Sequence, residues 1–343
     1  MFESDLVLWL QSAESSVMTT LMSLVTEAGS MEFVVVAAIV VAFGIDLRIG
    51  ALLFVMLFWN DVLTDLFKGC FALPRPAHVD TAIQNFGGEP IEPPPFPAAG
   101  GEEFFDLPEE EAIEYYRARG GISFGFPSGH VGMATTLWVG IALMLRSHLL
   151  GIITAVLVPA VMISRMYLGK HFLADVIGGL VLALAIVWAG HKFLRSGTLG
   201  EFTAPWRWSP TSRSRPVIAG ALLLLPMFLL AVEWTARFDK TGRLAGATVA
   251  FLLLAYFGFP EVRARITKRA IWVLFALLLF SATHLAGEAM LGIDSTTRSF
   301  TGQFLFGFLP PLVCLLGTVG LRSFFRPFAL HPPRRPQESL EQS

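Results

Sequence analysis

Three short segments place charged and imidazole side chains within an otherwise apolar sequence. They contain Lys68 with Arg75-Pro76, then Pro127-Ser128-Gly129-His130, and then Ser164-Arg165 with His171 and Asp175. Arginine can bind phosphate oxygens through two parallel hydrogen bonds, and lysine supplies a compact positive charge. Histidine can act as a nucleophile or carry protons near neutral pH. The three segments therefore predict an anion site with a nucleophile, although Lys68 alone could equally extend toward lipid headgroups.

The second segment opens an apolar helix at a position suited to bind an anion. Ser128 is a favoured residue for a helix N-cap, and Gly129 lets the backbone approach a ligand closely. The free N–H groups of a first helical turn attract negative charge, and the helix dipole adds to this attraction. An ordinary capped helix start explains this segment equally well when it is taken alone.

The third segment predicts an oriented imidazole. His171 and Asp175 are four residues apart, which places them on one helix face. A carboxylate on one ring nitrogen leaves the other nitrogen free to attack. A charged Asp175 at a helix entering a bilayer is costly unless it is paired, which makes it a candidate functional residue. A His–Asp helix pair taken alone would more often be structural, but the other two segments favour catalysis.

Composition places the chain among membrane proteins. Of its 343 residues 54% are hydrophobic and 15% are charged, and the mean hydropathy is +0.62. Soluble domains carry roughly 25% charged residues. The net charge of −2 gives no basic surface for nucleic acid, and two distant cysteines indicate neither a disulfide framework nor a zinc site. The apolar stretches that approach the length of a spanning helix are 5–26, 31–46, 49–67, 130–146, 149–166, 172–194, 216–234, 244–259, 270–288 and 303–321. The first of them is the weakest and could instead lie in the membrane interface.

These stretches predict an all-α, polytopic membrane protein with a core of about six helices and about four additional C-terminal ones. The core covers residues 1–194 and contains a polar insertion at 74–128 that could form a lid or wall. A cytoplasmic linker at 195–215 leads to accessory transmembrane helices at 216–325. A polar tail at 326–343 is expected to be disordered.

The distribution of Lys and Arg predicts the orientation. If every stretch crosses once, most basic residues, such as Arg48, Arg146 and Lys192, share the side of the N-terminus. The three chemical segments and the acidic insertion lie on the other side. The N-terminal side is then cytoplasmic, and the site faces outward.

Together the three segments resemble the signature of the type 2 phosphatidic acid phosphatase superfamily. That signature is Lys, six residues, Arg-Pro; then Pro-Ser-Gly-His; then Ser-Arg, five residues, His, three residues, Asp. This chain matches it without a departure and in the same order. The resemblance covers roughly residues 5–194 and leaves out the C-terminal helices.

The resemblance implies a role for each residue. His171 would take the phosphoryl group, and Asp175 would orient it. His130 would protonate the departing alkoxide and then activate water. The groups implied to hold the phosphate are Lys68, Arg75, Arg165, Ser128 and the Gly129 amide. No metal and no cofactor are expected, because positive side chains stabilise the transferred phosphoryl group and no carboxylate cluster suited to magnesium lies beside the segments.

These expectations describe an enzyme that dephosphorylates a lipid within the bilayer. The candidates include phosphatidic acid, phosphatidylglycerol phosphate, an isoprenyl diphosphate and a phosphorylated sphingoid base. Rival functions are a phosphotransferase with the same site, a vanadate haloperoxidase, against which the spanning helices argue, and a lipid or anion transporter. The accessory helices could support a homodimer. Compact loops suggest a prokaryotic source, hence the bacterial inner membrane with the site facing the periplasm or exterior.

Two further polar pairs leave alternatives open. Asp61 and Asp65 lie four residues apart on the helix that ends at Lys68, so they could position the lysine, lie near the active site or simply pair inside the bundle. His284 and Glu288 have the same spacing on a C-terminal helix. They could form a minor accessory site, although a satisfied polar pair is the favoured interpretation.

Overall fold

The computed structural model describes residues 1–87, 95–96, 98–103, 105–119, 123–195, 238–257, 259, 265–291 and 299–324. Within them the helices are α1 (Asp5–Gln11), α2 (Ser16–Glu27), α3 (Met31–Val40), α4 (Leu47–Phe71), α5 (Pro76–Val79), α6 (Glu110–Arg119), α7 (Gly129–Leu145), α8 (His148–Tyr167), α9 (Leu173–Arg195), α10 (Phe238–Phe257), α11 (Ile266–Leu291) and α12 (Phe300–Phe324). A π-helical segment, Val41–Ile45, extends α3. The described residues otherwise form loops and one isolated β-bridge between Asp80 and Ala98.

The helices confirm the prediction of an all-α polytopic membrane protein. Five described spans are long and apolar enough to cross a bilayer: α4 continued by α5, then α8, α9, α11 and α12. The bent pair of α2 and α3 could provide a sixth, and α7 is apolar but shorter. The predicted helix over 216–234, the linker after residue 195 and the tail after 326 lie outside the described residues.

The N-terminal region differs from the prediction of one helix over 5–26, which is wrong. Residues 12–15 separate α1 from α2, and the side chain of Ser15 accepts a hydrogen bond from the Met18 amide to begin α2. Ser30 caps α3 in the same way through the Phe33 amide. Serine at an N-cap accepts a hydrogen bond from a free backbone amide, so each of these serines starts a new helix. The run of apolar residues over 5–26 had indicated one continuous helix. A bend of 49° then separates α2 from α3 with its π-helical extension.

This break places the N-terminus at the end of the bundle that holds the third chemical segment. The Ala174 amide donates to the carbonyl of Met1, and the rings of Phe2 and Phe172 meet edge to face at 5.7 Å. The side-chain amide of Gln11 also donates, through Nε2, to the carbonyl of Tyr167. The expectation that the N-terminus lies opposite the site is therefore wrong. No Lys or Arg precedes Arg48, so the distribution of basic residues between the two ends is unchanged.

Helix α4 is the central helix of the core. Asp46 caps it by accepting hydrogen bonds from the amides of Arg48 and Ile49, and its 25 residues span about 37 Å. Leu53, Phe54, Leu57 and Phe58 are fully buried and contribute to one hydrophobic cluster with α3, α7, α10 and α12. Lys68 lies in its last turn, which ends at Ala72 in a left-handed conformation.

Glycines allow α10 and α12 to approach each other closely. Gly242 and Gly246 form a small-xxx-small pattern on α10, and a Cβ on either would lie within about 2.2 Å of a carbonyl oxygen, of Phe304 or Phe308 respectively. Helix α10 also packs against α4, so it joins the accessory helices to the core. The first two turns of α10 carry Asp239, Lys240 and Arg243.

We expect Gly246→Ala to lower the thermal midpoint of the purified protein in detergent. Alanine favours helix by roughly 1 kcal/mol relative to glycine, but its Cβ would meet the Phe308 carbonyl at 2.1 Å. Overpacking of this kind costs ~1–3 kcal/mol. Gly151→Ala on α8 is the matched control, because the described residues place no atom within 4 Å of its Cβ. Equal midpoints for the two variants would contradict this packing.

The position of the N-terminus is testable by cysteine labelling in sealed vesicles of known orientation. In a Cys70→Ser background, Ser12→Cys and Glu102→Cys should react with a membrane-impermeant maleimide from the same side. Arg48→Cys, at the opposite end of α4, should react from the other side. All three positions are exposed. If Ser12→Cys instead reacts from the same side as Arg48→Cys, the N-terminus lies at the end of the bundle opposite the site, which would contradict the structure.

Candidate active site

Ser128 occupies the N-cap position of α7, but its side chain does not cap the helix. The residue is fully buried, and its Oγ has no hydrogen-bond partner among the described residues. Its amide donates to the carbonyl of Asp175 at 2.8 Å, which ties the start of α7 to α9. A buried hydroxyl is costly to leave unpaired. The ordinary capped helix start is therefore the weaker explanation, and the Ser128 hydroxyl is free to bind a ligand.

His171 and Asp175 are in contact, although they do not share a helix face. Helix α9 begins at Leu173, so His171 precedes it, and the expectation of a common helical face is wrong. The Oδ2 atom of Asp175 instead accepts a hydrogen bond from the Phe172 amide at 2.9 Å and lies 3.3 Å from His171 Nδ1. The carboxylate thus holds both the helix start and the imidazole. This leaves Nε2 of His171 as the nitrogen that does not contact Asp175.

Close backbone packing fixes the Asp175 side chain. Both residues of the pair are almost completely buried, with His171 1% and Asp175 0% exposed. A Cβ on Gly125 would lie 2.8 Å from Asp175 Oδ2, and one on Gly179 would lie 2.4 Å from the Ser128 carbonyl oxygen. Only glycine at these positions lets the loop before α7 and the start of α9 come this close.

Positive charges from the first and third segments converge on His171. Burial, together with the charges of Arg165, Arg75 and Lys68, holds the pKa of His171 well below its usual range. His130 contributes to the same effect, which places it within electrostatic reach of His171. A neutral imidazole results, which is the form with a free lone pair for attack. The structure therefore brings together the residues that the sequence predicted as one site.

Two arginines are held by neighbours outside the three segments. Arg75 donates from Nε to the Ser123 carbonyl and from Nη2 to the Ser123 Oγ, both at 2.8 Å. Arg165 is buried in the last turn of α8, and its Nη1 donates to Thr26 Oγ1 at 3.3 Å. Its Nε has no partner within the part of the chain that the structure describes. Both guanidinium groups are thus oriented while retaining donors for an anion.

Lys68 and His130 complete the cluster. Lys68 is half-buried and interacts electrostatically with Arg75 and Asp175. His130 is the second residue of α7, and a Cβ on Gly29 would lie 2.3 Å from its carbonyl oxygen. The bend between α2 and α3 therefore packs directly on the start of α7.

Lys170 is a candidate phosphate-binding residue that the sequence analysis missed. It is 8% exposed, its Nζ donates to Asn85 Oδ1, and its charge acts on His130. Burial and the charges of Arg165 and Arg75 lower its pKa to about 8. The signal was present, since the lysine directly precedes His171, but it lies at a variable position of the signature.

The insertion forms one side of the site through its described residues. Phe172 and Ala174, beside His171, share a hydrophobic cluster with Leu73 and with residues of the insertion and the N-terminus: Phe2, Val7, Ala77, Val79, Ile83, Ala99, Ala112 and Ile113. The ring of His78 stacks on Tyr116, whose hydroxyl donates to the His78 carbonyl. Packing of α6 against this cluster holds the segment before α9 in place.

The two additional polar pairs have different surroundings. Asp61 and Asp65 form ion pairs with Lys240 of α10, so they join two helices of the bundle. His284 Nδ1 lies 3.7 Å from Glu288 Oε1, and its ring packs against Phe306. The accessory role of the latter pair stays a prediction.

Among the described residues, no three His, Cys, Asp or Glu side chains converge into a set that could hold a metal ion.

Comparisons with known proteins point to one family. The family model described as PAP2 superfamily matches residues 49–197, which contain all three segments. Phosphatidylglycerophosphatase B of Bacillus subtilis (strain 168) is 42% identical over 73 residues, which cover 19% of this chain. The match covers 36% of that protein, so the chain spans about a third of the length of the relative. No solved structure matches the chain significantly. The match agrees with the resemblance of the three segments to that superfamily over residues 49–197.

The lowered pKa of Lys170 predicts an alkaline loss of anion affinity. A lysine is charged below its pKa, so the charge of Lys170 is present below about pH 8 and is lost above it. Orthophosphate affinity should therefore fall as the pH rises through about 8. Lys170→Arg should move this fall to higher pH, because arginine stays charged. Thermal shift with orthophosphate across pH 6–10 measures both, and identical profiles would contradict a role for Lys170.

Proposed function

We propose that the protein is an integral membrane phosphatase that removes phosphate from a lipid through a phosphohistidine intermediate, without a metal. The observation that carries the proposal is the buried contact between His171 Nδ1 and Asp175 Oδ2 at 3.3 Å within a cluster of positive side chains. A site that merely bound an anion would need the positive charges but not an imidazole oriented by a carboxylate.

In the first step His171 takes the phosphoryl group. With its Nδ1 proton toward Asp175, the Nε2 lone pair attacks phosphorus, and the bond between phosphorus and the lipid oxygen breaks. His130 gives a proton to the departing alkoxide, and the negative charge of the bound phosphate favours the protonated form that this step needs. Lys68, Arg75 and Arg165, with the Ser128 hydroxyl and the Gly129 amide, hold the phosphate oxygens as charge develops on them.

In the second step water releases the phosphate. His130, now neutral, takes a proton from the water as the water oxygen attacks phosphorus. The bond between His171 Nε2 and phosphorus breaks, which yields inorganic phosphate and restores the imidazole. The Asp175 carboxylate stabilises the positive charge that the ring carries between the two steps.

The relative suggests where to look for the substrate. Phosphatidylglycerol phosphate is the first lipid to test, because the matching protein is a phosphatidylglycerophosphatase. We further propose that the protein lies in the bacterial inner membrane with the site facing outward. The ends of α7 and α9 remote from the site carry Arg146, Lys192 and Arg195, as a cytoplasmic surface should.

Phosphate release in detergent with EDTA present tests the proposal. The wild-type protein should release phosphate from at least one lipid of a panel that includes phosphatidylglycerol phosphate and phosphatidic acid. His171→Ala should reduce turnover at least 10³-fold, in line with loss of a nucleophile. His148→Ala is the matched control, because His148 is exposed at the opposite end of the bundle.

The outcome separates the rival functions. Labelled phosphate should remain on the wild-type protein in an acid-labile linkage after a rapid quench, and His171→Ala should carry none. Product that forms only when an alcohol acceptor is added would favour the transferase. A protein that binds the lipids but neither releases nor retains phosphate would refute catalysis and favour the transporter.

A further inference from the structure

One face of α4 carries two carboxylates directly below the Lys68 ammonium. Asp61, Asp65 and Lys68 are spaced by four and three residues, so they follow one another along a single helix face. Lys68 interacts electrostatically with Asp65, three residues away. A lysine and an aspartate at this spacing would pair with each other on an isolated helix. Such a pair would draw the Lys68 ammonium away from a phosphate ligand.

Lys240 of α10 instead forms ion pairs with both carboxylates. Its Nζ lies 2.9 Å from Asp61 Oδ1 and 2.8 Å from Asp65 Oδ1. Arg243, one turn later, lies 3.5 Å from Asp61 Oδ2 and 2.8 Å from Asp239. The side chains of Lys240, Asp61 and Asp65 are only 15%, 10% and 21% exposed, so water screens these charges weakly.

We propose that Lys240 is a positioning residue for the phosphate site, contributed by the accessory helices. By neutralising Asp61 and Asp65, it keeps the Lys68 ammonium available to the phosphate of the substrate. This inference rests on the proposed function and extends it to α10, which lies outside the matched family domain.

The charges explain why this position needs a cation. Without Lys240 both carboxylates would lose a positive neighbour, and only Asp61 would keep Arg243, so their net negative charge would repel the doubly negative phosphate and attract Lys68. At the effective dielectric typical of partly buried sites, a charge within about 8 Å of another changes an affinity on the order of tenfold. Helix α10 packs closely against α12 at Gly242 and Gly246, and this packing holds the first turn of α10 level with Asp61 and Asp65.

A purely structural ion pair is the alternative, in which Lys240 only attaches α10 to α4. The two roles differ in what they change. Loss of a structural pair lowers thermal stability but leaves the affinity of the folded protein for phosphate unaltered. Loss of a positioning residue weakens phosphate binding, and removal of the carboxylate that competes for Lys68 restores it.

The test compares Lys240→Met, Lys240→Arg and the double variant Lys240→Met/Asp65→Asn in detergent. Orthophosphate is the probe, and its dissociation constant is measured by thermal shift. Lys240→Met should weaken orthophosphate binding about tenfold and raise KM for the lipid more than it lowers kcat. Lys240→Arg should retain most of the affinity. Lys268→Met is the matched control, since Lys268 is exposed at the far end of the accessory helices.

The double variant is the decisive arm. Asp65→Asn removes the carboxylate nearest Lys68, and Arg243 remains beside Asp61, so the affinity for orthophosphate should return to within about threefold of wild type. Unchanged affinity in Lys240→Met, or no recovery in the double variant, would overturn the proposal. If Lys240→Met does not fold, Lys240→Gln replaces it in both arms, because glutamine can still donate a hydrogen bond to the carboxylates but carries no charge.

The binding arm is independent of turnover. If the wild-type protein binds orthophosphate but hydrolyses no lipid, the proposed function fails while the positioning role is still measured. If hydrolysis depends on His171 and the Lys240 variants bind orthophosphate as the wild type does, the positioning role alone fails.

Discussion

Burial of several positive charges around one imidazole is the constraint on which the arrangement of helix ends depends. Lys68, Arg75 and Arg165 all act on His171, which is almost completely enclosed. Like charges repel strongly where water is excluded, so such a cluster needs negative charge nearby. The Asp175 carboxylate supplies one unit, and a phosphate ligand would supply up to two more. An anion is therefore the natural partner of the site, whatever follows its binding.

The helix ends meet because each is tied to another. The Ser128 amide is bonded to the Asp175 carbonyl, and the Asp175 carboxylate holds both the Phe172 amide and the His171 ring. Glycines at 125 and 179 allow these backbones to approach within distances that any side chain would prevent. The same few contacts that start α7 and α9 thus orient the proposed nucleophile. Rigid support of this kind is what phosphoryl transfer requires, since positioning contributes much of its rate.

Segments outside the three motifs complete this support. In the N-terminal region, Thr26 accepts a hydrogen bond from Arg165, and Gly29 packs against the start of α7. In the insertion, Ser123 accepts a hydrogen bond from Arg75, and apolar residues pack against Phe172. Helix α10 brings Lys240 to the carboxylates below Lys68. Each of these contacts controls the orientation or charge of a residue in the cluster, so a domain boundary drawn from the motifs alone would exclude part of the site.

The sequence by itself determined the membrane class, most of the helices and the residue types of the site. Apolar length and motif spacing are local properties, and they predicted α4, α8, α9, α11 and α12 within a few residues. The sequence did not determine that residues 5–26 break into two helices, that His171 precedes α9, or that Lys170 and Lys240 lie beside the cluster. Those features depend on serine caps that compete with apolar continuity and on contacts between residues as far apart as Asp65 and Lys240. Only the tertiary structure decides which helix faces meet, because packing and charge pairing between distant segments leave no periodic signal along the chain.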